Sequence, residues 1–242
     1  MAIHIDSSSS DKDYYLEKTD PTPWATDSGS SIFPLTMSCW IHPDSLSDHD
    51  GAISLGYSAT TYPVVSINLR GTGKATAEVK TRTTTALSIS AADYTAGAWQ
   101  HFAGVFASAT SRICYLAGVA ATENTTSAEI APSGVNHLTL GEYASTWSRP
   151  FDGHLAECAV WNVALSASEI ATLVDGYTPL HVRPESLISY FPLVKNTIDV
   201  MGANTVSFAT DSGGSTTEVD YSDHPRIIED APMISRSAWG GI

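Results

Sequence analysis

The stretch 99–173 constrains the fold more than any other part of the chain: it is a run of short strands broken by turns and closed by one helix. Two strand-like runs, 99–106 and 112–116, flank a turn-like Ala-Ser-Ala-Thr-Ser segment. A third run, 137–141, precedes a Phe-Asp-Gly turn at 151–153 and a long strand over 154–163. Ser166 and Glu169 then stand at the capping-box spacing, in which each side chain satisfies a backbone donor of the first helical turn, so a helix is expected to open there. The earlier half repeats the strand signal. Leu35, Met37, Cys39 and Ile41 share one strand face; Ile53, Leu55 and Tyr57, then Val65, Ile67 and Leu69, repeat the pattern. Ala103 and Val105, with Ile113 and Tyr115 across the turn, are expected to continue it. His-Asp-Gly at 49–51, Gly-Thr-Gly at 71–73 and Thr-Ala-Gly at 95–97 punctuate these runs. Many short strands at this spacing, with almost no helix, predict an all-β sandwich or barrel.

At 242 residues and 43% hydrophobic, the chain can bury one large core, so a single domain is expected. Its 26 acidic and 12 basic residues leave a formal charge of −14, a field that repels phosphate backbones and anionic head groups. Nucleic acid and membrane surfaces are therefore set aside as partners. The opening Met-Ala-Ile-His-Ile-Asp has neither the basic start nor the apolar run of a secretory signal, and no stretch is apolar enough to span a bilayer. Cys39, Cys114 and Cys158 are odd in number, sit in strand-like runs and lack a metal-ligand spacing, so they read as buried small hydrophobes of a cytoplasmically made protein.

The ordered succession resembles the laminin-G-like or concanavalin-A-like jelly roll, the group shared by pentraxins, many lectins and some glucanases. The resemblance runs from about Ile3 to about Leu193. It is carried by Ile3 to Ile5, by Asp13-Tyr14-Tyr15-Leu16, and by the strand from Phe33 to Ile41. Trp99-Gln100-His101-Phe102-Ala103 matches the tryptophan–histidine strand, and Asp152-Gly153 with Glu157 matches the last long strand. Tyr115-Leu116-Ala117-Gly118 matches the tyrosine–valine–aspartate–glycine turn, with Ala117 in place of the aspartate. What the resemblance implies is an all-β, concanavalin-A-like jelly-roll sandwich of two antiparallel sheets with one short helix. Arg183-Pro184, Leu187, Tyr190 and Pro192-Leu193, with the later Asp223-His224-Pro225-Arg226-Ile227, are similar to the extension on jelly-roll structural proteins of tailed bacteriophages. From about Ala209 the chain turns Gly-, Ser- and Thr-rich and then proline-punctuated. The expected organisation is a jelly-roll domain over 1–208 and an extended C-terminal arm over 209–242.

The sandwich hosts lectins, hydrolases, adhesins and virion proteins alike, so activity must be read from sites. Glu218, Asp220 and Asp223 form an acid cluster, but the third acid is out of phase with the other two, and a retaining glycosidase needs two carboxyls about 5 Å apart on one strand face. No catalytic residue is assigned, and Glu157 reads as an acid bonded to a neighbouring backbone or arginine. Asp44, Asp48 and Asp50, in a loop ending at Gly51, could offer oxygens to calcium or could simply form a turn. No other cofactor is implied. The eight histidines show no metal-binding helix spacing, and His101 reads as a hydrogen-bonded core residue. Tyr57, Tyr62, Tyr143 and Trp147 stand near turns, where a flat ring can stack on a pyranose or be buried under the rim.

Two function classes follow, both non-enzymatic. The first is a virion structural protein, in capsid decoration or a tail fibre, that packs against copies of itself and other virion proteins. Its arm would dock through Arg226, Ile227, Ile228, Met233, Ile234 and Trp239. The alternative is a carbohydrate-binding module or adhesin whose rim aromatics take host-surface glycans, with a glycoside hydrolase behind both.

Overall fold

The alternating runs pair as expected, into two antiparallel sheets. A computed structural model describes residues 2–5, 14–24, 28–46, 50–57, 60, 62–143, 150–194, 196–210 and 221–222. The strands are β1 (Ala2–Ile5), β2 (Tyr14–Thr19), β3 (Leu35–Pro43), β4 (Asp50–Gly56), β5 (Val64–Arg70), β6 (Lys74–Lys80), β7 (Thr85–Ile89), β8 (Gln100–Ser108), β9 (Ser111–Leu116), β10 (Val119–Ala120), β11 (His137–Leu140), β12 (Gly153–Trp161), β13 (Leu187–Phe191), β14 (Ser207–Thr210) and β15 (Tyr221–Ser222). One sheet has the order β10-β9-β8-β3-β12-β1-β15, with β13 also pairing β12; the other runs β14-β2-β11-β4-β5-β6-β7.

The core lies between the sheets. Ile3, Leu35, Met37, Cys39 and Ile41 meet Ile53, Leu55, Val65, Ile67 and Leu69 there, every one fully buried. Phe102, Cys114 and Leu116 fill it from β8 and β9. Ala103, Val105, Ile113 and Tyr115 point away from the inter-sheet core into a second cluster with Trp161, Leu165, Ile170 and Leu173. The cause is the helix α1 (Ala167–Val174), which packs on the outer face of β8 and buries Ile170 and Leu173. A strand buried on both faces is apolar on both, so alternation alone does not identify its inner side.

The helix begins where the capping box predicts. The Ser166 hydroxyl accepts from the Glu169 amide, and the Glu169 carboxylate accepts from the Ser166 amide at 2.8 Å. Glu169 also bonds the Arg183 guanidinium, which holds its carboxyl below the usual carboxylate range. Among the described residues no helix is long and apolar enough to cross a membrane.

The expected division at 208/209 falls inside β14, where Ala209 pairs with Tyr15 and Thr210 with Tyr14. Further along, Tyr221 pairs with Ile3 and Ser222 with Ala2. Two pieces of the segment expected to form an arm are thus edge strands of the sandwich. Such strands are recruited by backbone hydrogen bonding and need no apolar period, which is why composition does not mark them. The six docking residues expected at 226–239 lie outside the described residues.

Candidate functional site

Three connections converge at one rim of the sandwich: Thr60, Tyr62 and Pro63 between β4 and β5, 81–84 between β6 and β7, and the segment 129–134 before β11. Between them is an open depression of about 340 Å³. Tyr62 and Pro63 form an apolar wall, and Thr60, Arg82, Glu129 and Ser133 surround it with polar groups. Tyr62 is half-buried, whereas Arg82, Glu129 and Ser133 are exposed. The Lys80 ammonium sits 5.3 Å from the Tyr62 ring centroid, a cation–π contact that steadies the ring. Gly134 lies so close to Pro63 that a Cβ there would come within 2.8 Å of the proline ring, so the wall is fitted to the segment behind it. The Thr81 hydroxyl accepts from the Thr84 amide at 3.1 Å and thereby holds the turn that carries Arg82.

The other expected glycan contacts fare differently. Tyr57 lies on the same connection as Tyr62 and is half-buried, but it is not part of the depression wall. Tyr143 is 4% exposed and its hydroxyl donates to Glu78 at 3.1 Å, so it has no ring face to offer a sugar. That expectation is corrected: the segment after β11 folds down over the outer face of β4, where Gly51 leaves room only for backbone (a Cβ would meet the Glu142 carbonyl carbon at 2.4 Å). Trp147 lies outside the described residues. Arg82 and Glu129 were not legible as partners of Tyr62, because nothing in the sequence joins positions so far apart.

The acids show a similar division. Asp50 is buried in β4 opposite Leu69, Asp48 lies outside the described residues, and Asp44 is turned toward histidines. Its carboxylate lies 3.0 Å from His4 Nε2, 3.6 Å from His42 Nδ1 and 3.7 Å from His154 Nδ1. Sequence reading missed this group because it sought a helical spacing; the signal is strand register, which sets His42 opposite His154 and His154 opposite His4.

Two buried acids on the strands, Glu78 and Glu157, are held by structural hydrogen bonds. Glu78 takes the Asn68 amide at 3.0 Å as well as Tyr143, and Glu157, at a bulge in β12 with φ of +53°, takes the Tyr190 hydroxyl. His101 is buried, its Nε2 is 2.8 Å from the Ser38 hydroxyl, and burial pushes its imidazole down to about 3. Glu218, Asp220 and Asp223 lie outside the described residues.

The family model for the concanavalin A-like lectin/glucanases superfamily matches residues 15–171. The chain belongs to this superfamily. Among solved structures, this superfamily member is similar to the native heptameric SAP-like pentraxin from Limulus polyphemus, at 14% identity and a TM-score of 0.57 over 88% of this chain and 92% of that one. The Ruminococcus gnavus IT-sialidase CBM40 bound to α2,3-sialyllactose matches at 16% identity and a TM-score of 0.57, over 72% of this chain and 96% of that one. Domain 4 of an extracellular arabinanase from Geobacillus stearothermophilus, in complex with arabinotriose, matches at 18% identity and a TM-score of 0.50, over 61% of this chain and 68% of that one. At these identities the likeness establishes the jelly-roll fold. No curated protein matches the sequence significantly.

Proposed function

We propose that this superfamily member is a non-catalytic carbohydrate-binding domain, with the depression at Tyr62 as its sugar site. The observation that carries the reading is the composition of that depression. Tyr62 and the exposed residues Arg82 and Glu129 line one depression of about 340 Å³. A pyranose has an apolar C–H face and a rim of hydroxyls, so it pairs with one aromatic plane and a few polar groups at its edge. Arg82 donates to sugar oxygens and Glu129 accepts from hydroxyls, while Tyr62 takes the ring face. Two of the similar structures, the sialidase CBM40 and the arabinanase domain, hold oligosaccharides, which supports the class without identifying the sugar. A non-catalytic role is supported by Glu78 and Glu157, two buried strand acids, which are occupied by Asn68, Tyr143 and Tyr190. A virion role with a docking arm rests on residues 226–239 and has no comparable structural observation behind it.

The test is a glycan array probed with the full chain, followed by calorimetric titration of the best hit. Tyr62→Ala should lower affinity at least about tenfold, the scale of about 1.4 kcal/mol for a lost stacking contact. Tyr143→Phe should leave affinity unchanged. An array without binding, or a hit indifferent to Tyr62→Ala and Arg82→Ala, overturns the assignment.

A further inference from the structure

A second group of side chains, independent of the sugar depression, has the composition of a metal site. His4 on β1, His154 on β12 and His42 on β3 form a row across three adjacent strands, because the register places His4 opposite His154 and His154 opposite His42. Period-two alternation sends Ile3, Ile5, Ile41 and Leu155 into the core and leaves the three imidazoles together on the outer face. The His4 and His154 rings stack with centroids 4.4 Å apart, and His42 meets His154 edge-on at 5.4 Å. Asp44, just beyond β3, reaches over this row. Its amide donates to the Asp152 carbonyl at 3.0 Å, and the Ser45 hydroxyl donates to the Asp152 carboxylate at 3.0 Å, so the turn carrying Asp44 is held in place. Gly153 makes the approach possible: at φ of +139°, a Cβ there would come within 2.3 Å of the His42 carbonyl oxygen.

We propose that His4, His154 and Asp44, with His42 beside them, bind one divalent transition-metal ion of the zinc class. One ligand atom from each of His4, Asp44 and His154 lies within 4.8 Å of the other two. A tetrahedral ion with bonds of about 2.0–2.1 Å sets its ligand atoms about 3.3 Å apart; the two Asp44 oxygens lie 3.0 Å from His4 Nε2 and 3.7 Å from His154 Nδ1, so binding draws the three side chains inward onto one ion. His42 Nδ1 is buried, has no hydrogen-bond partner and lies 3.6 Å from the same carboxylate, beside the three-residue group. Three imidazoles and one carboxylate are a nitrogen-rich donor set. Calcium and magnesium want oxygen cages, whereas imidazole suits zinc, cobalt, nickel and copper. The site differs from the calcium loop expected at Asp44, Asp48 and Asp50, since it shares only Asp44 with it. The Trp99 ring, 5.5 Å from His42 and 6.4 Å from His154, walls one side. A bound ion would tie β1, which enters the sheet through a single four-residue strand, to β3 and β12.

The experiment titrates the metal-freed full chain with cobalt(II) and then zinc, with calcium in parallel. One equivalent of cobalt should give the visible absorption of a four-coordinate nitrogen–oxygen site, zinc should abolish it, and calcium should have no effect. His154→Gln and Asp44→Asn should each weaken zinc binding at least about tenfold, measured by competition with a chromogenic chelator. His137→Gln, a histidine outside the group, should not. Circular dichroism of the metal-free variants establishes that they fold; if one does not, the wild-type cobalt spectrum decides. Three outcomes overturn the proposal: no stoichiometric cobalt spectrum, binding that survives both His154→Gln and Asp44→Asn, or binding lost only in His4→Gln, which would place it at the chain start alone.

Discussion

His101 shows how far a single buried residue departs from its solution chemistry. Its imidazole is pushed down to about 3 by burial, lies 2.8 Å from the Ser38 hydroxyl and packs T-shaped against Trp40. The unfolded chain protonates such a group near 6.5. As pH falls below about 6.5, the unfolded state takes up a proton that the native state refuses, so stability drops. The loss accrues at up to about 1.4 kcal/mol per pH unit and stops only when the native imidazole titrates near 3. Denaturant unfolding of wild type and His101→Gln at pH 7 and pH 5 should therefore converge as pH falls, because the variant lacks this component. Parallel pH profiles would mean that His101 titrates normally in the fold. The same scale holds the Tyr143 lesson: a ring near a turn is a ligand platform or a lid over a polar pocket, and only its neighbours decide which.

At the scale of elements, the hairpin between β9 and β10 carries Ala117 where the resemblance leads one to expect aspartate. Leu116 pairs with Val119 across the two-residue turn Ala117-Gly118, and both turn residues are left-handed, at φ of +48° and +79°. That is the type I′ geometry favoured by hairpin twist, and it suits Asn or Asp followed by Gly. A Cβ without a polar side chain is penalised in this region by about 1 kcal/mol. Ala117→Asn is therefore expected to stabilise the protein by about 0.5–1 kcal/mol, read as a higher denaturant midpoint at unchanged m-value. A lower midpoint would mean that Ala117 makes a contact worth more than the backbone strain. The helix is the contrasting element. Its start was legible from Ser166 and Glu169, whereas its packing on β8, which gives Ala103 and Val105 a core of their own, was not.

For the whole molecule, the three cysteines report on how closed the sandwich is. Cys39, Cys114 and Cys158 are all buried free thiols, and they line the core between the sheets. Burial pushes the Cys114 thiol up to about 12 and the Cys158 thiol well above its ordinary value, so neither is a nucleophile near neutrality. At pH 8 the native protein should show no reaction with a thiol reagent over the time in which the guanidinium-unfolded chain yields three equivalents. Partial native reactivity would indicate local opening of the sandwich below the global unfolding free energy.

Local patterns in the chain were enough to read the fold class, the shared strand faces of β3, β4 and β5, the helix start and the burial of the cysteines. Each of these is a local pattern, set by period-two alternation or by groups three residues apart, and such patterns survive without knowledge of the partner. The sequence also singled out Tyr62 and Asp44 as residues near turns. Tertiary structure alone decided what those residues face. Tyr62, Arg82 and Glu129 line one depression because three connections end at one rim, and Asp44 meets His4 and His154 because β1, β3 and β12 pair in one register. Residues 40 to 110 positions apart become neighbours only when sheet order and register bring them together, and no local periodicity encodes that.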